Sequence, residues 1–105
     1  MQLAIKRAWD FWGSIGKPSM VAAPMVRWTS LPCRMQLRRH GAELCSTPMI
    51  DADVLNMAQD RSAFFMTCRE DRPLVGQLGA TNVDDFIAAG KILEAVRMCV
   101  LSLCV

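Results

Sequence analysis

Nowhere do the 105 residues offer an apolar run approaching the ~20 residues of a membrane-spanning helix, so no membrane partner is expected. Residues 1–16 carry Lys6, Arg7 and Asp10 among their apolar positions and hold no continuous apolar segment of the secretory kind. An Arg-bearing amphipathic organelle presequence stays open, with Asp10 counting against it. The five cysteines, Cys33, Cys45, Cys68, Cys99 and Cys104, are odd in number and scattered, and no two form a CxxC pair. That pattern argues against a disulfide framework and a zinc site, and for a reducing compartment such as the cytoplasm or nucleus. No metal is expected. His40 is the single histidine, so no Cys/His or Ser/His pair can be argued by proximity. A phosphate-cradling loop is missing too, because Gly76-Gln77-Leu78-Gly79 is too short and lacks a following lysine or third glycine. Asp51 and Asp53 are two residues apart and would diverge on a helix, which weakens paired-carboxylate catalysis.

What remains is apolar and of single-domain size. The chain is 52% hydrophobic with a mean hydropathy of +0.21, outside the disordered range. Its net charge of +2 conceals an asymmetry. Lys6, Arg7, Lys17, Arg27, Arg34, Arg38 and Arg39 face only Asp10 within residues 1–41, while the remainder holds five basic and nine acidic side chains. Such a basic third suits either a polyanion or helix ends.

The run Met20–Val26 has no charge and no polar alternation, which reads as a strand buried on both faces and stopped by Pro24. In parallel α/β folds ligands sit at the C-terminal ends of strands, so Pro24, Met25 and Val26 fall at the mouth of a site. Before it, Leu3, Ala8, Trp9 and Trp12 suggest an amphipathic helix over 3–12, ended by Gly13, Gly16 and Pro18. After it, Ser30 is placed as an N-cap and Pro32 in the first turn of a helix reaching about His40. Gly41 follows at C′, and Leu31, Met35, Cys33 and Leu37 make the buried face.

Glu43–Thr47 is a second short strand, again stopped by a proline, Pro48. The Pro24-Met25 and Pro48-Met49 pairs recur about 24 residues apart, roughly one strand–helix unit. Asp51 can cap a helical stretch through Val54, Leu55 and Met57. Cys68–Arg72 is a charged turn, and Pro73–Leu78 a third buried strand with Gly79 and Ala80 opening a turn. Asn82 caps a helix in which Val83, Phe86, Ile87, Gly90 and Leu93 recur at helical spacing, with Lys91, Glu94 and Arg97 outside. Met98–Val105 offers a fourth strand. Repeating strand–helix units with short loops imply an α/β fold with a parallel sheet and right-handed crossovers.

Few residues in this frame carry chemistry. Gln77 is a lone amide in a buried strand, and its partners are either a ligand's ring edge or neighbouring backbone. Thr47 either binds a ligand or caps the next turn, and His40 faces a helix dipole at the surface.

Taken in order, Ala23-Pro24-Met25-Val26, Leu31-Pro32-Cys33-Arg34, Arg39-His40-Gly41-Ala42-Glu43-Leu44, Thr47-Pro48-Met49-Ile50 and Asp71-Arg72-Pro73-Leu74-Val75-Gly76-Gln77-Leu78 resemble the tRNA-dihydrouridine synthases. Phe11-Trp12 is like the eukaryotic 16/17-type branch, which acts at D-loop uridines. The resemblance covers roughly residues 9–95. It implies a partial (β/α)8 TIM barrel, with the first three to four parallel strands and their helices in residues 19–105, preceded by a helix and linker in 1–18. It further implies that Pro24, Met25 and Val26 line FMN through backbone atoms and that Gln77 hydrogen-bonds the isoalloxazine edge. FMN would take hydride from NADPH or NADH and pass it to C6 of a uridine extruded from tRNA, while a cysteine protonates C5.

Departures are equally specific. Ser46 stands where the family usually has an aromatic, and Val83 where it has a proline. Beyond Glu94 the family continues into a strand like Asp-x-Asn-x-Gly-Cys-Pro, which Ala95–Val105 does not match. Neither Cys99 nor Cys104 therefore inherits the acid role, no catalytic residue is assigned, and the chain by itself is expected to be inactive. Alternatives are a non-catalytic truncated product and a different FMN-barrel oxidoreductase; the latter predicts that changing Arg34 and Arg38 leaves tRNA affinity untouched.

Overall fold

The computed structural model describes residues 1–96 and 98–104. Arg97, expected on the outer face of the last helix, and Val105, expected to end the fourth strand, lie outside the described residues, as do the side chains of Cys99 and Cys104.

Helix α1 (Gln2–Ser14) forms where the amphipathic pattern places it, yet buries no residue, and Leu3, Ile5, Trp9 and Phe11 remain exposed. The apolar run after it corrects the first expectation. Residues 20–26 do not form a buried strand. Val21 makes one isolated parallel bridge to Leu44, Ala22 N–H donates to the Leu44 carbonyl (2.9 Å), and Met20, Val21, Met25 and Val26 are exposed. The run has a pairing partner on one edge alone among the described residues, and too little packs on its faces to bury it. The pairing ends at Ala22, two residues ahead of Pro24.

Helix α2 (Leu31–Arg39) follows with Ser30 at N-cap, Pro32 in the first turn, His40 at C-cap and Gly41 at φ +105°, although the Ser30 side chain makes no capping bond. Its buried face is a second correction. Leu31, Cys33, Met35 and Leu37 are only half-buried, and the one fully buried residue of the helix is Arg34.

Two short strands, β1 (Cys45–Ser46) and β2 (Ile50–Asp51), pair with β3 (Leu74–Ala80), and β4 (Cys99–Cys104) pairs with β3 as well, all parallel. Because β4 runs along Val75–Ala80 on one edge, β1 and β2 must share the other. They are two halves of one strand. Cys45 and Ser46 sit opposite Leu74 and Val75, while Ile50 sits opposite Leu78, so the segment Thr47-Pro48-Met49 faces only Gly76 and Gln77. One extra residue is accommodated as a bulge. Pro48 thus interrupts the second strand and does not stop it, a third correction.

The Leu74–Ala80 run is buried except for half-buried Gly79, which agrees with expectation except that Gly79 and Ala80 continue the strand. Alternation divides it into two faces. Leu74, Leu78 and Ala80 join Leu55 of α3 (Ala52–Met57) and Ala89 and Leu93 of α4 (Val83–Ala95) in the core. Gly76 lies on this face because a Cβ there would stand 2.7 Å from Leu93 Cδ1. Asp51 caps α3 by accepting from Asp53 N–H (3.2 Å), and Asn82 caps α4 by accepting from Asp85 N–H (2.8 Å), with Asp84 and Asp85 on the positive helix end. Of the expected α4 line only Leu93 is fully buried; Val83 and Ile87 are exposed and Ala89 takes their place.

Candidate functional site

The opposite face of the sheet, turned from α3 and α4, carries Val75, Gln77 and Gly79. Gln77 is 8% exposed, and its side-chain amide finds no hydrogen-bond partner among the described residues. Its backbone N–H donates to Thr47 Oγ1 (3.1 Å), while Thr47 N–H donates to the Val75 carbonyl (2.8 Å). Thr47 therefore spans the bulge with a hydroxyl acceptor where the ladder would otherwise offer a carbonyl. The hydroxyl thus serves the sheet and not the turn cap read from sequence.

Thr47 also lines a cavity of about 240 Å³. Leu31, Pro32, Pro48, Met49, Phe64 and Met66 supply its apolar wall, and Ser30, Arg34 and Thr47 its polar atoms. The short 3-10 turn Ser62–Phe65 brings Phe64 to it. Pro24, Met25 and Val26 do not line this cavity and are exposed. The Met25 carbonyl is occupied, accepting from Trp28 N–H (3.2 Å), Thr29 N–H (3.2 Å) and Thr29 Oγ1 (3.0 Å).

Behind the cavity lies a buried ion cluster that the charge reading mistook for surface. Arg34 is 2% exposed and Asp71 fully buried, joined at 2.8 and 2.9 Å. Arg38 Nε reaches the other Asp71 oxygen at 3.0 Å, and its guanidinium also donates to the Glu43, Arg72 and Pro73 carbonyls. Burial pushes the Asp71 carboxyl up, but hydrogen bonds and charge from Arg34, then Arg38, outweigh it and hold the group below the usual carboxylate range. Arg34 and Arg38 are thus withdrawn from the basic surface, leaving Lys6, Arg7, Lys17, Arg27 and Arg39 exposed. A tRNA-affinity test on Arg34 and Arg38 would report on folding. The signal that could have found the cluster was the i,i+4 spacing of two arginines, with an aspartate immediately ahead of the most apolar strand.

Elsewhere, His40 is exposed with Nδ1 2.9 Å from the Gln36 carbonyl. Cys33, Cys45 and Cys68 are free thiols, and burial pushes the Cys45 thiol up. Asp53 borders a second hollow with Asp51; its carboxyl is raised by burial, then by Asp85 and Asp51. Among the described residues no three His, Cys, Asp or Glu side chains converge as metal ligands, and no helix is long and apolar enough to cross a membrane.

A family model described as dihydrouridine synthase (Dus) matches residues 20–100, which include β1 to β3, α2 to α4 and every residue of the ion cluster. The chain belongs to the dihydrouridine synthase family. Among curated proteins it is 37% identical over 86 residues to a Schizosaccharomyces pombe tRNA-dihydrouridine(16/17) synthase (NAD(P)(+)), covering 79% of this chain and 22% of the relative. It is 36% identical over 93 residues to a tRNA-dihydrouridine(16/17) synthase-like protein of Rattus norvegicus, covering 84% and 21%. A Saccharomyces cerevisiae tRNA-dihydrouridine(20a/20b) synthase is 36% identical over 82 residues, covering 77% and 22%. The chain thus spans about a fifth of the length of these synthases. No solved structure gives a significant match. Within the dihydrouridine synthase match lie all four residues expected to bind the cofactor, with Gln77 on the sheet face turned from α3 and α4 and Pro24, Met25 and Val26 beyond the Val21 bridge.

Proposed function

We propose that this chain is the opening part of a flavin-dependent tRNA-dihydrouridine synthase, reducing uridine to dihydrouridine in the D-loop of tRNA with NADPH or NADH. Residues 19–105 supply the first three to four strands of a (β/α)8 barrel, and residues 1–18 a preceding helix and linker. The strand order supports this. The paired segments follow one another across the sheet in chain order, all parallel, the singly wound arrangement that closes into a barrel.

The observation that carries the flavin reading is the Gln77 amide, nearly buried, on the face away from the helices and unpartnered among the described residues. Among the described residues only Asp53 Oδ1 and Asn56 Oδ1 are sealed without a partner, so the Gln77 amide still reaches water and is available to a ligand, and a flat heteroaromatic edge offers alternating donors and acceptors that match it. The residues present therefore fit FMN. Gln77 would hold the ring edge. Pro24, Met25 and Val26 follow the Val21–Leu44 bridge as Thr47 follows Leu44 in the parallel partner, so they would approach the same strand tips through their backbone. The Met25 carbonyl is already used, which leaves the N–H groups of Met25 and Val26 for the ligand. Bound FMN contributes two-electron transfer between NAD(P)H and the uracil ring. Gln77 would orient the ring; it does not line the 240 Å³ cavity, which is joined to it through Thr47, whose hydroxyl accepts the Gln77 N–H.

Replacing Gln77 with leucine in the full-length protein removes one to two hydrogen bonds worth about 0.5–1.5 kcal/mol each. FMN retention, read by flavin absorbance after gel filtration and by titration, should weaken roughly tenfold. Undiminished FMN affinity in that variant would overturn the assignment of Gln77.

A further inference from the structure

The flavin reading leaves the Arg34–Asp71 pair without a task, although both side chains are buried, at 2% and 0% exposure. Its geometry is specific. Arg34 Nη1 donates to the Thr29 carbonyl (2.6 Å), Nη2 to the Met66 carbonyl (2.7 Å), and Nε to Asp71 (2.9 Å). Met66 lines the 240 Å³ cavity, and Thr29 immediately precedes Ser30, which also lines it. Thr29 closes the turn that engages the Met25 carbonyl with both its N–H and its hydroxyl. Met66 follows the Ser62–Phe65 turn that delivers Phe64 to the lining. Asp71, just ahead of β3, fixes the plane of the guanidinium and is itself fixed by Arg38 and by Thr67 Oγ1 (3.2 Å).

A planar fork reaching three separate segments is something arginine does and lysine cannot, because a single ammonium cannot meet three acceptors so disposed. The β1–β3 ladder and the α4 layer do not pass through Arg34. Loss of the fork should therefore loosen the cavity walls and leave the sheet in place.

We propose that Arg34, oriented by Asp71, is a positioning residue that locks the Met25–Thr29 turn and the Ser62–Met66 segment in fixed relation across the cavity. It thereby sets the shape in which a ligand is received at the strand tips. The identity of that ligand rests on the flavin reading; the lock itself does not.

The test compares Arg34→Lys with Arg38→Lys in the full-length protein. Both keep a positive charge beside Asp71, and only the first severs the bonds to Thr29 and Met66. Amide hydrogen exchange in Arg34→Lys should rise at least tenfold more at Trp28, Thr29 and Phe64 than at the β3 and α4 amides, which follow the global stability alone. In Arg38→Lys those three amides should stay protected. FMN titration should show Arg34→Lys at least tenfold weaker than Arg38→Lys. Thr29→Val, which removes the hydroxyl bond to Met25 but spares Arg34, should loosen Trp28 and Thr29 and not Phe64, and it serves where Arg34→Lys fails to fold. Equal exchange profiles in the two lysine variants, or Phe64 loosening equally in Thr29→Val, would overturn the lock. Should the unaltered protein bind no FMN, the flavin reading fails while the exchange comparison still decides the lock.

Discussion

Replacing Asp71 with asparagine keeps the shape of the side chain and removes the one negative charge between two guanidiniums. In the unaltered protein Asp71 accepts from Arg34 Nε at 2.9 Å, Arg38 Nε at 3.0 Å and Thr67 Oγ1 at 3.2 Å, and pairs with the Arg34 Nη2 charge at 2.8 Å, with no exposure to water. Asparagine offers one acceptor oxygen, so a donor –NH2 is set against an arginine N–H, and Arg34 is left charged and buried. Removing one partner of a buried pair costs about 3–5 kcal/mol, against a total of roughly 5–15 kcal/mol for a domain. With a urea dependence near ~2 kcal/mol/M, the unfolding midpoint should fall by roughly 2 M. The pH dependence sharpens the test. The folded carboxyl titrates below its unfolded value of 3.8, so its contribution is whole above about pH 4 and is lost as pH falls through the lower folded value. Urea titrations at pH 7 and at pH 3 should show the unaltered protein losing stability on acidification, and Asp71→Asn losing less. A midpoint shift below about 0.5 M, with the same acid loss in both proteins, would refute the claim that this cluster holds the fold.

Thr47→Val should leave the buried Gln77 N–H without an acceptor at a cost of about 1–3 kcal/mol, while Thr47→Ser restores stability; urea unfolding and exchange at the Gln77 amide read both. Gly76→Ala drives a Cβ to 2.7 Å from Leu93 Cδ1 in the packed core and should destabilise by about 1–3 kcal/mol. In the double variant with Leu93→Ala the added methyl occupies vacated space, so the two losses should sum to less than their separate values; strict additivity would contradict the contact.

Much of this arrangement was legible in the sequence, for physical reasons. The caps Asp51 and Asn82, the positive-φ glycine after α2 and the unbroken apolar run of β3 are local signals, and each element formed where those signals lay. Periodicity misled wherever burial depended on a neighbour. Met20–Val26 has the composition of a strand buried on both faces, but one bridge to Leu44 secures it and its side chains stay in water. Pro48 looked like a terminator, yet the Thr47 hydroxyl carries the pairing past it. Arg34 lay hidden behind its charge, because nothing local reveals that its partner stands 37 residues away. Of the candidate site, Gln77 was visible as the one amide in an apolar strand. The cavity was not, since Phe64 and Met66 come from the stretch whose pattern dissolves.

The account depends most on the inner face of this sheet being the flavin side of a uridine reductase. The direct measurement is mass spectrometry of nucleosides from tRNA treated with the purified full-length protein, FMN and NADPH. Uridine heavier by two hydrogens should appear at the D-loop and diminish in Gln77→Leu in step with lost flavin. Flavin-independent turnover, or no dihydrouridine from a flavin-loaded, folded protein, would contradict it.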